Sequence, residues 1–283
     1  MNKKITIIGG DLRLVNLAVL YAEEDCEVYT FALENIKNKL DGYKNIYFCK
    51  SLNEAVELSN TIISSIPLSK DGVYVNTPYS DIKLGLEELF ASLESKKFIA
   101  GKIDSNLKKD VKAEICDILE IEEYSVLNSL ATAEGAIQIA MEEYPRTICG
   151  SNVLVLGFGR IGKIVSKMLN GIGANVYCEA RKSSDLAYIE AYSYIPVDLK
   201  NLNSILNKVD IIINNIPTMI LDETKLNLLK KDTLILDLAS KPGGVDFDYA
   251  EKIGIKTIWA LGLPGKVAPL SAAEYIKRIV EKI

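Results

Sequence analysis

The sequence predicts an α/β fold of two Rossmann-like domains, each built on a doubly wound, mostly parallel sheet, with a cleft between them. Three observations carry that expectation. Short runs at residues 5–8, 153–156 and 211–214, the second apolar throughout and the others broken only by Thr6 and Asn214, have the character of parallel strands buried on both faces. Two glycine turns, Gly9-Gly10-Asp11 and Gly157-Phe158-Gly159-Arg160-Ile161-Gly162, follow such runs and lead into apolar residues at helical spacing. The halves also echo one another. Gly9 and Gly157 stand 148 residues apart, and Ile62-Ile63-Ser64-Ser65-Ile66-Pro67 stands 150 residues before Ile212-Ile213-Asn214-Asn215-Ile216-Pro217. A near-constant offset is what two similarly built domains produce. The register breaks after Pro67, where residues 68–81 read as an insertion.

In the first half, the strand at 5–8 runs into its glycine turn, a helix from 12 to 23 and a second strand at 27–31. This turn lacks the third glycine. Residues 98–101 read as a strand, 111–119 as a helix and 124–127 as a short strand. A long helix opens at Asn128 and Ser129 and ends near Glu143, before Pro145. The expected division is therefore a first domain at 1–128, an inter-domain helix at 129–148 and a second domain at 149–270. The last helix, 271–283, is available to complete the first domain.

In the second half, Ile161, Val165, Met168 and Leu169 mark a helix that begins within the turn, and residues 175–180 supply the next strand. Strands follow at 211–214, 233–238 and 256–260, then a loop at 261–270 stiffened by Pro264 and Pro269. Strand, turn, helix and strand in that order make a dinucleotide site. Gly157 suits the tight turn, Gly159 the close approach of a pyrophosphate, and Gly162 helix–strand packing. The helix start offers N–H groups and partial positive charge to the phosphates. Phe158, Arg160 and Ile161 complete the turn. Ligands of open α/β sheets bind at the carboxyl ends of strands, which adds Asn215, Ile216, Pro217, Leu238, Ala239 and Ser240.

Which dinucleotide depends on the end of the strand at 175–180. Aligned by length, the ribose-facing place falls on Ala180, followed by Arg181, Lys182 and Ser183. A small residue leaves room for a 2′-phosphate, and a guanidinium beside a hydroxyl binds one, so the expected cofactor is NADP. Glu179 complicates this, because a slip of one residue would put a carboxylate on the ribose.

Composition narrows the chemistry. The 283 residues are 48% hydrophobic and 25% charged, with a net charge of −5 and no basic block. A globular protein is expected, without an electrostatic footprint for nucleic acid. No apolar run reaches membrane-spanning length and Lys3-Lys4 leads into a strand, so no membrane association or secretion signal is expected. Five cysteines without a CxxC pair read as reduced, mostly buried thiols of a cytoplasmic protein, with no metal site. There is no histidine. That excludes Ser-His-Asp and Cys-His catalysis and leaves acid–base work to Asp, Glu, Lys, Tyr, Cys or water.

The motifs Thr132-Ala-Glu-Gly135, Gly157 to Gly162, Ala180-Arg181, Asn215-Ile-Pro217, Asp237-Leu-Ala-Ser-Lys-Pro-Gly-Gly244, Asp246-Phe247 and Gly262-Leu-Pro-Gly-Lys-Val-Ala-Pro269 together resemble the dipicolinate synthase A-subunit family, as does Gly9-Gly10-Asp11-x-Arg13. More distantly the pattern resembles two-domain hydroxyacid and alanine dehydrogenases. The resemblance implies an NADP-dependent oxidoreductase. It would form pyridine-2,6-dicarboxylate from a dihydrodipicolinate-type intermediate, in the mother cell of a sporulating bacterium. It also implies a second, B-type chain of dipicolinate synthase as partner; self-association is left open. Another NADP-dependent imine or hydroxyacid dehydrogenase, or a nucleotide-binding regulatory subunit whose partner carries catalysis, are the competing readings.

For such a substrate Arg13 is the leading carboxylate ligand and Lys241 a second cation. Asp11 and Glu134 are candidate bases, Asp11 with the alternative of capping a helix. Thr132 and Glu134, placed near the start of the long helix, either reach the cleft or cap that helix. Ser65 and Pro67, which match the Asn215–Pro217 turn, are candidate pocket residues.

Overall fold

The runs at 5–8, 153–156 and 211–214 each find parallel neighbours on both sides. The computed structural model of the protein describes residues 3–109 and 111–283. It divides into two units, Met1–Asn128 with Ala268–Ile283, and Ser129–Val267. No helix among the described residues is long and apolar enough to cross a membrane.

In the first unit β1 (Lys4–Ile8), β2 (Glu27–Phe31), β3 (Ile46–Phe48), β4 (Thr61–Ser64), β5 (Lys97–Ala100) and β6 (Glu114–Asp117) form one parallel sheet. Its order is β3-β2-β1-β4-β5-β6. Alternate residues of β1 serve opposite faces, as the pleat requires. Ile5 and Ile7 pack with Leu14, Leu17 and Tyr21 of the helix Leu12–Glu23, and with Ala273, Ile276 and Ile279 of the C-terminal helix Pro269–Val280. Ile8 on the other face joins Ile62, Leu89 and Phe98.

Two expectations fail here. Residues 111–119 carry apolar groups at spacings that suit a helix, but 114–117 pair with β5 as an edge strand and a short 3-10 turn follows at Ile118–Glu120. Pairing with β5 overrides local preference. Asp117 fixes the junction by accepting from the backbone N–H groups of Lys102, Ile103 and Leu119 at 3.0, 2.7 and 3.0 Å. Residues 124–127, expected as a strand, lie inside a helix that runs from Glu122 to Glu143. The signal overlooked was Glu122-Glu123, acidic residues that favour a helix start.

The second unit contains β7 (Asn152–Leu156), β8 (Asn175–Ala180), β9 (Ile195–Asp198), β10 (Ile211–Asn214), β11 (Leu234–Asp237) and β12 (Thr257–Trp259). Their order, β12-β11-β10-β7-β8-β9, is that of the first sheet read from the other edge. Both sheets therefore have the doubly wound 3-2-1-4-5-6 arrangement of a Rossmann fold. The helix Arg160–Ile172 packs Val165 and Leu169 against Val153, Val155, Val176 and Cys178. The stretch read as a loop at 261–270 contains a short helix, Leu263–Val267, seated against Gly135, where an added Cβ would lie 3.0 Å from Leu263.

The turn after β7 makes opposite demands at two of its glycines. A Cβ on Gly162 would sit 2.0 Å from the carbonyl oxygen of Gly157, whereas one on Gly159 meets nothing within 4 Å. Gly162→Ala is expected to destabilise the second unit by about 3 kcal/mol. Gly159→Ala should cost about 1 kcal/mol or less. Denaturant unfolding of the two variants beside the parent chain checks the contrast.

Candidate functional site

The site is built from the carboxyl ends of β7, β8, β10 and β11. Gly157 follows β7 with φ at 89°, a left-handed conformation that favours glycine. The helix Arg160–Ile172 starts directly after Gly159, which supplies no side-chain cap. Such a start leaves backbone N–H groups for an anion. Since the fold tolerates a side chain at Gly159, the glycine there suits close approach by a ligand rather than packing.

Two unpartnered oxygens lie beside this turn. Glu179 pairs in register with Leu156 on β8 and is 1% exposed. Its Oε2 accepts from the Gly157 N–H at 3.2 Å, while Oε1 has no partner. Burial pushes this carboxyl above the usual range, against the opposing influence of the Gly157 N–H and Arg181. Asn215 donates from Nδ2 to the Leu156 carbonyl at 3.2 Å and leaves its buried Oδ1 unpartnered. Among the described residues, Tyr21 carries the remaining buried side-chain atom in this state. Unmet hydrogen-bonding capacity thus concentrates at one turn, where a polar ligand would satisfy it.

The equivalent turn of the first unit is closed by its own chain. The Gly9 N–H donates to the Phe31 carbonyl at 2.9 Å and the Gly10 N–H to the Asn76 carbonyl at 3.0 Å. A Cβ on Gly9 would stand 2.8 Å from Thr77. Phe31 pairs with Ile8 as Glu179 pairs with Leu156, so an apolar ring occupies the place of the carboxylate. The segment that broke the sequence repeat supplies Asn76 and Thr77 to this turn.

The remaining predicted cofactor residues divide. Phe158 and Gly162 are buried, Ile161 is half-buried and Arg160 is exposed at the helix start. Ala180, expected to face the ribose, is 4% exposed and packs in the core with Val176 and Cys178. Strand alternation puts Glu179, not Ala180, at the turn. Arg181, Lys182 and Ser183 are exposed at the start of the helix Ser183–Ala191.

The loops after β10 and β11 are joined through the last residues of those strands, Asn214 and Asp237. Asn214 and Asp237 are both 0% exposed. Asn214 Nδ2 donates to Asp237 Oδ1 at 2.8 Å and to the Ile216 carbonyl at 3.0 Å, and Oδ1 accepts from the Ile216 N–H at 3.1 Å. Asp237 also accepts from the N–H groups of Ala239 at 3.0 Å and Gly244 at 2.8 Å. This network sets Asn215, Ile216 and the exposed Pro217 on one loop, and Leu238, Ala239, Ser240 and Lys241 on the other. Leu238 and Ala239 are buried; Ser240 and Lys241 are exposed.

In the first unit Arg13 is not an open cation. It is 5% exposed, with Nε 2.9 Å from Asp11 Oδ1 and a terminal nitrogen 2.8 Å from Oδ2. The same terminal nitrogen donates to the Ile66 carbonyl, and Tyr124 lies within reach. Burial works against the guanidinium charge, yet pairing with Asp11 outweighs it and the pKa is raised. Asp11 caps the helix Leu12–Glu23 by accepting from the Arg13 N–H. A carboxylate and a guanidinium so engaged fix the turn at Ser65 and Pro67. Ser65 is buried and its hydroxyl donates to the Leu68 carbonyl at 3.3 Å; Pro67 is half-buried. Thr132 and Glu134 lie well inside the helix that begins at Glu122, so neither caps its N-terminus; Thr132 is buried and Glu134 exposed. No group of three or more potential metal ligands occurs among the described residues.

The profile for the N-terminal domain of the dipicolinate synthase A subunit matches residues 4–121. That of the D-isomer specific 2-hydroxyacid dehydrogenase, NAD binding domain, matches residues 129–241. The chain is 33% identical to the A subunit of dipicolinate synthase from Bacillus subtilis (strain 168), covering 99% of this chain and 95% of that one. The chain belongs to the dipicolinate synthase A-subunit family. The crystal structure of the Bacillus subtilis A chain superposes with a TM-score of 0.86 at 32% identity, covering 100% of this chain and 95% of that one. The A subunit of dipicolinate synthase from Bacillus halodurans gives 0.87 at 29% identity, over 99% of this chain and 97% of that one. An L-alanine dehydrogenase shares the fold at a TM-score of 0.63 and 13% identity, over 97% of this chain and 87% of that one. The family resemblance in the sequence therefore extends across both units, and the second carries a nicotinamide dinucleotide-binding fold of the dehydrogenase type.

Asp237→Ala would leave three buried donors without their acceptor, and about 3 kcal/mol of stability should go with them. Lys241→Ala, on the exposed part of the same loop, should change stability by about 0.5 kcal/mol or less. Thermal or denaturant unfolding of both variants measures the difference.

Proposed function

We propose that the chain is the dehydrogenase component of a dipicolinate-forming enzyme, oxidising a dihydrodipicolinate-type ring to pyridine-2,6-dicarboxylate. The observation that carries this reading is the turn at 157–162, with its unneeded glycine at 159 and two unpartnered oxygens, in a chain whose family membership spans both units. Gly157, Gly159, the start of the helix Arg160–Ile172 and Asn215 would hold the dinucleotide. Bound there, the nicotinamide supplies a hydride acceptor.

The balance of the reaction is simple. A ring carbon loses a hydride, its neighbour loses a proton, and the product is aromatic. Because aromatisation favours the products, the protein's main tasks are to position the ring and provide a modest base. Glu134 is the better of the two candidates, since it is exposed while Asp11 is held by Arg13. Arg13 acts as a positioning residue for the Ser65–Pro67 turn through the Ile66 carbonyl. Lys241, exposed beside the loop braced by Asp237, is the cation left for a substrate carboxylate. Arg181, Lys182 and Ser183 support NADP as the cofactor, and Glu179 stands against it. A B-type chain of the synthase is the expected partner in cells that form spores.

Incubating the chain with the dihydro intermediate and an oxidised nicotinamide cofactor should raise the absorbance of reduced nicotinamide. Absence of that signal, with and without a B-type partner chain, would reject the reading. A signal that requires the partner would assign catalysis to it. Gly159→Ala should keep the fold and weaken dinucleotide binding at least about tenfold. Isothermal calorimetry of cofactor binding reads that loss directly.

A further inference from the structure

In the first unit the glycine turn is closed by the chain and Arg13 is engaged by Asp11. Open space lies one step along the sheet, where a cleft of about 430 Å³ borders the loops that follow β4 and β5. Small-molecule pockets span roughly 300–1,000 Å³, and ligands of open α/β sheets take this end of the strands. The apolar lining is Leu68, Leu86, Ile103 and Leu107, the first three buried. Lys70 and Lys102 border the cleft as exposed cations, with Asp104 as the carboxylate among the lining residues. Asp104 is occupied in part by the Asn106 N–H at 2.8 Å. Nearby Lys97 and Lys108 pair with Glu114 and Glu120, whereas among the described residues Lys70 and Lys102 pair with no carboxylate.

Backbone contacts fix both loops. The Leu68 N–H donates to the Gly101 carbonyl at 2.6 Å, and the Gly101 N–H to the Ser65 carbonyl at 3.2 Å. A Cβ on Gly101 would lie 2.6 Å from Ile66. Lys102 follows with φ at 56°, in the left-handed region that a lysine enters at a cost. The buried Asp117 keeps it there by accepting from the N–H groups of Lys102 and Ile103. Glycine would take this conformation without strain, yet the position carries an ammonium beside the cleft. We propose that this cleft is a carboxylate site of the first unit, with Lys70 and Lys102 as its cations and a small planar ring dicarboxylate as its ligand. The ammonium groups attract the carboxylates, and the apolar lining suits the ring. A bare inorganic anion would leave that lining unused.

The choice of acid rests on the reaction proposed above, its place rests on the cleft alone, and the test separates the two. The full chain is titrated calorimetrically with pyridine-2,6-dicarboxylate in metal-free buffer, and separately with inorganic phosphate. The dicarboxylate should bind saturably, and phosphate at least about tenfold more weakly. Lys70→Ala and Lys102→Gly should each weaken the dicarboxylate at least about fivefold, the scale of an ion pair open to water. Lys102→Gly should also unfold at a higher denaturant concentration than the parent, because it removes strain together with the charge. A merely structural lysine would not weaken binding while its loss stabilises the fold. No binding of the dicarboxylate, binding unchanged in both variants, or phosphate bound as tightly would each overturn the site. A Lys102→Gly chain less stable than the parent would overturn the part given to Lys102. The reduced-nicotinamide signal decides the reaction independently of every one of these outcomes.

Discussion

A helix can begin directly after a buried parallel strand only where the chain reverses with backbone touching backbone. That condition is met at Gly162, whose Cα stands so near the Gly157 carbonyl that no side chain fits. From this contact the helix Arg160–Ile172 takes its direction, with its start at the carboxyl end of β7. The arrangement of β8, β10 and β11 around β7 then brings their terminal loops to the same edge of the sheet. The buried Asn214–Asp237 pair keeps two of those loops joined. Both features put backbone and polar groups where a phosphorylated ligand needs them.

The parts of this arrangement set by backbone sterics were legible in the sequence. Glycines at 157, 159 and 162 after an apolar run leave few alternatives to a strand–turn–helix unit, and the parallel strands at its centre announce themselves by continuous apolar character. Three of the four edge strands were not legible: β3, β6 and β9 are three or four residues long and only partly buried, so their pattern is weak, whereas β12 was marked at 256–260. Side-chain partnerships were harder still. Arg13 looked available to a ligand because nothing in a sequence shows that a guanidinium will fold back on a carboxylate two residues away and a carbonyl 53 residues away. Asn214 and Asp237 are 23 residues apart and meet only because their strands are neighbours. Ala180 was misplaced by one step of alternation, which turns a side chain from one face of a sheet to the other.

The two units show how one topology separates into different roles. Their sheets have the same strand order, and both begin with a strand that enters a glycine turn. In the first unit the turn's N–H groups are used by Phe31 and Asn76. In the second they meet a carboxylate with an oxygen to spare. A few residues, chiefly Phe31 against Glu179 and the segment at 68–81, account for the divergence.

The return of the chain to the first unit has a consequence for how the protein is made. Its C-terminal helix supplies Ala273, Ile276 and Ile279 to the core around Leu14, Leu17 and Tyr21. The second unit, Ser129–Val267, is contiguous and can leave the ribosome whole. The first unit begins translation earlier yet lacks one wall until residues 268–283 emerge, so the apolar face of the helix Leu12–Glu23 must wait through the synthesis of its neighbour.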